Sequence, residues 1–208
     1  MISIKTIPVS DFAQNARILT CLDTGDVMLI DPGFEIDKLL ESLNLAAIKH
    51  VLLTHAHIDH AAQCEYLLQK LEKQFGASPK FYAHKEESLM RQSLPFQAQM
   101  YGITSSNILA LREPDVFLEG GQNIAFGKSQ LKVLFTPGHS PGHISLYIHS
   151  GIKVVDDLEF KDEAFSGPLC IAGDALFRQS IGRTDLPGGN HQQLLSSIKQ
   201  ELFSLPSE

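Results

Sequence analysis

The sequence predicts an α/β protein: two mixed β-sheets packed face to face, with helices on the outer faces. Three observations carry this expectation. Short runs rich in β-branched residues and leucine recur with turn residues between them, and segments with apolar residues at helical spacing separate several of these runs. Strands cluster like hairpins early and late in the chain, with strand–helix alternation in the middle, a pattern that suits two sheets sharing one core.

In chain order, ISIKTIPV alternates apolar and polar residues and opens as a strand, followed by RILTCLD and DVMLIDPG. Helical spacing then runs from Glu35 to Leu45, the strand IKHVLLT follows, and helical spacing returns from Asp59 to Phe75. PKFYAH reads as a strand, Glu86 to Met100 as helix, QLKVLFTPG, HISLYIH and GPLCIAGD as strands, and Gln192 to Phe203 as the last helix. The most linker-like stretch is Thr104 to Gly121, polar and punctuated by Pro114 and Gly120-Gly121. The apolar runs on either side need each other for a core, so residues 1–208 read as one domain. Val154 to Gly167, VVDDLEFKDEAFSG, is acidic and reads as a hairpin extension or a mobile loop.

Composition narrows the function classes. With 208 residues, 43% of them hydrophobic and 20% charged, the chain is long enough for a full core. A formal net charge of -7 and the lack of any lysine- or arginine-rich block exclude the electrostatic footprint of a nucleic-acid binder. No apolar stretch approaches the roughly 20 residues of a membrane span, and the first residues lack the pattern of a secretory signal. Three scattered cysteines, Cys21, Cys64 and Cys170, argue against a disulfide framework and fit a reducing cytoplasm. Cys64, close behind the histidine cluster, reads as a buried inert thiol rather than a ligand.

The chemistry concentrates in LLTHAHIDH, residues 52–60, where His55, His57, Asp59 and His60 stand directly behind a buried-type strand. Histidines at a strand's end and on the loop entering a helix can converge without the helix imposing its own spacing. His-x-His on extended backbone points both rings to one side. Asp59 is expected to cap the helix that follows. Imidazole nitrogens and carboxylate oxygens are the donors that zinc, iron and manganese accept. Two further pieces end strands in the same way: TPGHSPGH carries His139 and His143, and IAGDALF carries Asp174 after a glycine. Taken alone, Asp174 is equally readable as a cap, and His143 reads as a structural histidine behind the ligands.

Together these pieces resemble the metallo-β-lactamase superfamily, whose αββα sandwich carries His-x-His-x-Asp-His, then a distant His, then a distant Asp. The words DPG at Asp31 to Gly33, TPGHSPGH, GDALF and IGRTDLPGG at Ile181 to Gly189 look like its glyoxalase II branch, the hydroxyacylglutathione hydrolases, in their short bacterial form, and also like the related persulfide dioxygenases. The resemblance implies that His55, His57 and His139 hold one metal, that Asp59 and His60 help hold a second, and that Asp174 bridges them. It implies one or two zinc ions, with iron or manganese as alternatives, and a metal-bound hydroxide as nucleophile, with Asp59 orienting it or passing a proton to the leaving group. A thiolate leaves with little acid help, so a small-molecule thioester is the implied substrate. A single iron on His55, His139 and Asp174 would instead resemble persulfide dioxygenases, which oxidise glutathione persulfide with molecular oxygen.

The family pattern ends with another strand and a Pro-Gly-His histidine, and no such histidine follows Leu202 here. On that pattern the chain is expected to lack its last strand. The second metal is then left with Asp59, His60 and Asp174, and a vestigial metal-binding domain is a third reading. His191 opens the presumed last helix and reads as surface or capping. Asp31 is expected to anchor a turn beneath the histidine loop, and Arg183 with Asp185 either braces a metal-bearing loop or forms an ordinary ion pair. Phe81, Tyr82, Phe96 and Tyr101 read as packing rather than pocket lining, with His84 capping a strand end. Lys70, Lys73, Lys80 and Lys85 read as a solvated face. Oligomeric state is not legible.

Overall fold

The computed structural model describes residues 1–41, 43–149, 151–154 and 167–206. Most of the acidic stretch Val154 to Gly167 therefore lies outside the described residues. Among the described residues eleven strands form two sheets. The larger comprises β1 (Ile2–Val9), β2 (Gln14–Cys21), β3 (Val27–Ile30), β4 (Ile48–Leu52), β5 (Lys80–His84), β6 (Val116–Leu118) and β10 (Ile152–Val154), in the order β10-β1-β2-β3-β4-β5-β6. It is mixed: β1, β2 and β3 pair antiparallel, whereas β3 to β6 run parallel and β10 runs parallel to β1. The smaller sheet, β11-β9-β8-β7, joins β7 (Asn123–Phe126), β8 (Ser129–Phe135), β9 (Ile144–Ile148) and β11 (Leu169–Ile171) and is antiparallel throughout.

Burial explains the layering. β3, VMLI, is buried on both faces because it lies between strands laterally and between a helix layer and the other sheet vertically. Its Leu29 packs with Leu39, Leu67, Leu71 and Phe81 under the helices, while Met28 and Ile30 pack with Phe126, Val133 and Leu146 of the smaller sheet. A third cluster, Leu134, Tyr147, Leu194, Ile198 and Leu202, lies between the smaller sheet and the last helix. Three apolar layers between four structural layers make the expected αββα sandwich. Each fully buried leucine in them contributes about 1.5–3 kcal/mol relative to an exposed one.

The helices are α1 (Ile36–Glu41), α2 (Ile58–Ala61), α3 (Cys64–Phe75), α4 (Ser88–Gln92), α5 (Leu94–Met100) and α6 (His191–Ser197), the last continued by a π-helical turn at Ile198–Leu202. Two expected single helices are broken, each for a tertiary reason. Between α2 and α3 the Gln63 N–H turns to the Gly33 carbonyl (3.0 Å), and its side-chain oxygen accepts the Ile36 N–H (3.1 Å). Between α4 and α5, Pro95 has no N–H for the Arg91 carbonyl, which accepts from Leu111 instead. Thr104 to Gly121, the most linker-like stretch, supplies β6 and buries Ile108, Leu111 and Leu118. Among the described residues no helix is long and apolar enough to cross a membrane.

Candidate metal centre

The histidine loop begins where β4 ends. Its backbone is held by both sheets: the Leu53 N–H donates to Tyr82 of the larger sheet, and the Ile144 N–H of the smaller sheet donates to the Thr54 carbonyl. His139 enters from the turn after β8, and Asp174 from the turn after β11. Gly173, at φ +53, lets that last turn come close; a Cβ there would lie 2.7 Å from His143 Nε2 and 2.9 Å from Thr54 Oγ1.

The side chains meet. His139 Nε2 lies 3.1 Å from His55 Nε2 and 2.8 Å from His57 Nδ1. Two ligands on one ion at about 2.0–2.1 Å stand roughly 2.9–3.4 Å apart for octahedral to tetrahedral angles, so this spacing fits a common cation. Two sets of donor atoms lie within 4.8 Å of one another: His55, His57 and His139, and His55, His60 and Asp174. Asp174 faces both sets, 3.2 Å from His60 Nε2 and 3.6 Å from His139 Nε2. Asp59 joins neither tight set; its carboxylate stands 3.6 Å from His60 Nε2. Nor does it cap its helix, because α2 begins one residue earlier, at Ile58, with His57 in the N-cap position.

Hydrogen bonds behind the rings fix their tautomers. Thr54 Oγ1 donates to Asp31 Oδ2 (2.6 Å) and so accepts from His55 Nδ1 (3.1 Å), leaving Nε2 of His55 unprotonated and turned inward. His139 Nδ1 donates to the Arg183 carbonyl (2.7 Å), and His60 Nδ1 donates to Asp31 Oδ2 (3.0 Å). His57 is turned the other way: Nδ1 faces the cluster, and Nε2 is buried with no hydrogen-bond partner among the described residues. Asp31 also accepts the Thr54 N–H (2.7 Å), which ties the histidine loop to it at a second point.

Arg183 supports His139 through its backbone, not its guanidinium. Its side chain forms a fork with Asp185, both bonds 2.7 Å, with 57% and 67% of the two side chains exposed. Asp185 thus reaches the cluster only by way of Arg183. His143 is structural: Nε2 accepts the Asp174 N–H (3.0 Å), so Nδ1 donates to Thr136 Oγ1 (2.9 Å), whose hydroxyl donates to Ser145 Oγ, itself donating to the Ala172 carbonyl. Cys64 is buried, and burial pushes its thiol far above the usual range. His84 accepts the Glu86 N–H at the strand end. The exposed His191 opens α6, which Asn190 caps.

Charge divides the cluster. Burial, reinforced by neighbouring imidazoles, holds His55 well below its ordinary pKa; burial and His139 bring His57 to about 3. Burial lowers His139 as well, against the pull of Asp174. For His60 burial is outweighed by Asp31, Asp174 and Asp59, which hold it well above 6.5. Burial likewise opposes ionisation of Asp174, but His60, His139 and His143 bring it to about 2. Burial raises Asp59, and Asp174 adds to that rise. A cavity of about 1000 Å³ opens beside this second half, lined among others by Phe12, Arg17, Asp59, His60, Asp174 and Arg178.

A four-layer sandwich with this donor set defines a class, and comparison with known proteins agrees: the chain belongs to the metallo-beta-lactamase superfamily, whose family model matches residues 10–152. Within that superfamily of metal-binding hydrolases, the chain is 34% identical over 206 residues to the hydroxyacylglutathione hydrolase GloC of Haemophilus influenzae, covering 98% of this chain and 85% of that protein. The crystal structure of the B3 metallo-beta-lactamase BLEG-1 superposes with a TM-score of 0.73 at 30% identity, covering 99% of this chain and 87% of the other. TTHA1623 in a di-iron-bound form gives a TM-score of 0.72, also at 30% identity, over 98% and 87% of the two chains.

Proposed function

We propose that the protein is a metal-dependent hydrolase that cleaves a thioester of the hydroxyacyl-glutathione kind. The observation that carries this reading is the convergence of three imidazole nitrogens from both sheets beside a carboxylate, Asp174, that faces a second histidine. His55, His57 and His139 would hold one cation, and His60, Asp174 and Asp59 a second of weaker hold. Zinc, iron and manganese all suit these donors. Once bound, such a cation polarises the scissile carbonyl and brings the pKa of a coordinated water from 15.7 down to about 7.

The chain's own residues do the rest. Asp59, outside the tight donor sets and on the cavity wall, orients the attacking water and accepts its proton. The Arg183 carbonyl holds His139 with its lone pair inward, and Asp31 holds His60 so that Nε2 faces the cluster and offers a lone pair once its proton has left. The cavity admits the acyl group beside Asp59, and the thiolate leaves without a strong acid. The identity to GloC supports the thioester in particular.

The test is thiol release from S-lactoylglutathione by the zinc-, iron- and manganese-loaded protein, alongside oxygen uptake with glutathione persulfide and cleavage of a chromogenic β-lactam. Metal-dependent thiol release is expected to exceed both other activities. Oxygen uptake by the iron form, with no thioester hydrolysis in any form, would replace this reading with the persulfide dioxygenase; β-lactam cleavage alone would point to the activity named for BLEG-1.

A further inference from the structure

Glu87 closes the short 3-10 turn Lys85–Glu87 between β5 and α4 and is 1% exposed. Its two carboxylate oxygens face different loops. Oε2 accepts the Ala56 N–H at 2.8 Å, and Ala56 is the residue between His55 and His57. Oε1 accepts Ser140 Oγ–H at 2.6 Å and the Gly142 N–H at 2.7 Å, and Ser140 directly follows His139. The Ala56 carbonyl accepts from Gln97 of α5 at 3.3 Å, so the peptide groups on both sides of Ala56 are held. Gly142 is pressed against the same residue: a Cβ there would lie 2.9 Å from Glu87 Cγ and 2.9 Å from its backbone nitrogen.

Three donors converge on two oxygens that only accept, which requires a carboxylate. An amide in its place would turn an N–H toward at least one donor. Arg91, one helical turn on and fully buried, adds a positive charge nearby. The two loops tied in this way start from different sheets, and they carry the nitrogens that stand 2.8 and 3.1 Å apart.

We propose that Glu87 is a positioning residue: by bonding the Ala56 peptide and the Ser140–Gly142 turn at once, it sets the distance between the His55–His57 pair and His139, and so the affinity of these three imidazoles for a cation. This rests on the metal-site reading above and adds to it a residue that touches no ligand side chain.

The experiment uses the full chain as wild type, Glu87→Gln, Ser140→Ala and Leu71→Ala, the last a cavity variant in the helix-side core that serves as a destabilised comparator. Zinc affinity is read by competition with a chromogenic chelator, ligand geometry by the visible absorption of the cobalt-loaded protein, and stability by thermal unfolding without metal. Glu87→Gln is expected to weaken zinc binding about 10–100-fold and shift the cobalt bands. Leu71→Ala, with a melting temperature at least as low, keeps wild-type affinity and bands. Ser140→Ala weakens binding by a smaller factor. Folded Glu87→Gln with wild-type affinity and bands overturns the proposal, as does wild-type behaviour of Ser140→Ala if Glu87→Gln does not fold. Should the wild type itself take up no zinc or cobalt, the metal-site reading fails, and this inference falls with it.

Discussion

The two halves of the cluster are built on opposite principles. His55, His57 and His139 are buried, uncharged imidazoles. Two of them donate their outer N–H to a hydroxyl or a carbonyl. The other half sets His60, whose positive charge is stabilised, among carboxylates, with Asp59 and Asp174 about a quarter exposed at 26% and 24%. A site made of neutral donors, two of them in fixed tautomers, takes a cation with little rearrangement. A site that already balances its own charge has to release a proton or loosen an ion pair first. On the metal-site reading, the difference teaches that occupancy of the first half would be set by geometry, and that of the second by competition.

The largest test of that contrast is His139→Ala, which removes the imidazole common to both close nitrogen pairs. Hydrolysis is expected to fall to background and stoichiometric metal uptake to be lost; a variant that keeps tight uptake would place the first half elsewhere. Asp59→Asn strikes only the second half. It should leave the tightest metal equivalent in place while kcat drops about 10²–10⁴-fold, the usual contribution of a general base; equal loss of metal and rate would make Asp59 a ligand of the first half. Next comes Asp31→Asn, which disturbs the partner of His60 Nδ1 and the Thr54 anchor behind His55 together. Metal affinity or activity should weaken about 10–100-fold, measured by chelator competition.

The smallest expected effect on the site comes from a distant pair that separates acid unfolding from metal loss. Buried Glu65 accepts from Arg112, and although burial pushes its carboxyl up, Arg112 brings it below its ordinary value. A depressed carboxyl pKa stabilises the fold at pH above the unfolded value and loses that contribution as pH falls through the folded value. Arg112→Ala should lower stability at neutral pH by about 1–2 kcal/mol, since Glu65 loses a partner that is itself partly open to solvent, and flatten the acid limb of the stability curve. Activity per folded molecule should not change.

The cluster was legible in the sequence because His55, His57, Asp59 and His60 stand in one word, HAHIDH, at the end of an apolar strand, and His139 and Asp174 repeat that placement. The sheets were legible through runs such as VMLI and ISLYI. Strands β6, β7 and β10 were not: they lack a run of β-branched residues or leucine bounded by turns, and the exposed–buried alternation of NIAF follows its pairing and not its residue types. The breaks at Gln63 and Pro95 depend on carbonyl and amide partners far away in the chain. Glu87 was hidden in KEE, which reads as a solvated charged turn, and its only trace was the tight glycine of the PGH turn it presses against. Thr54, Thr136 and Ser145 look like ordinary strand-end hydroxyls until the rings they orient are in place.

His55 and His57 hang from the larger sheet, and His139 and Asp174 from the smaller one. An ion held by His55, His57 and His139 would work as a rivet through the sandwich, able to bind only after the two sheets have closed. Binding to the closed form alone adds about 2.7 kcal/mol of stability when free ion exceeds its dissociation constant a hundredfold. The melting temperature of this protein should therefore track the metal supply of its surroundings, and a chelator should soften the whole molecule as well as silence it.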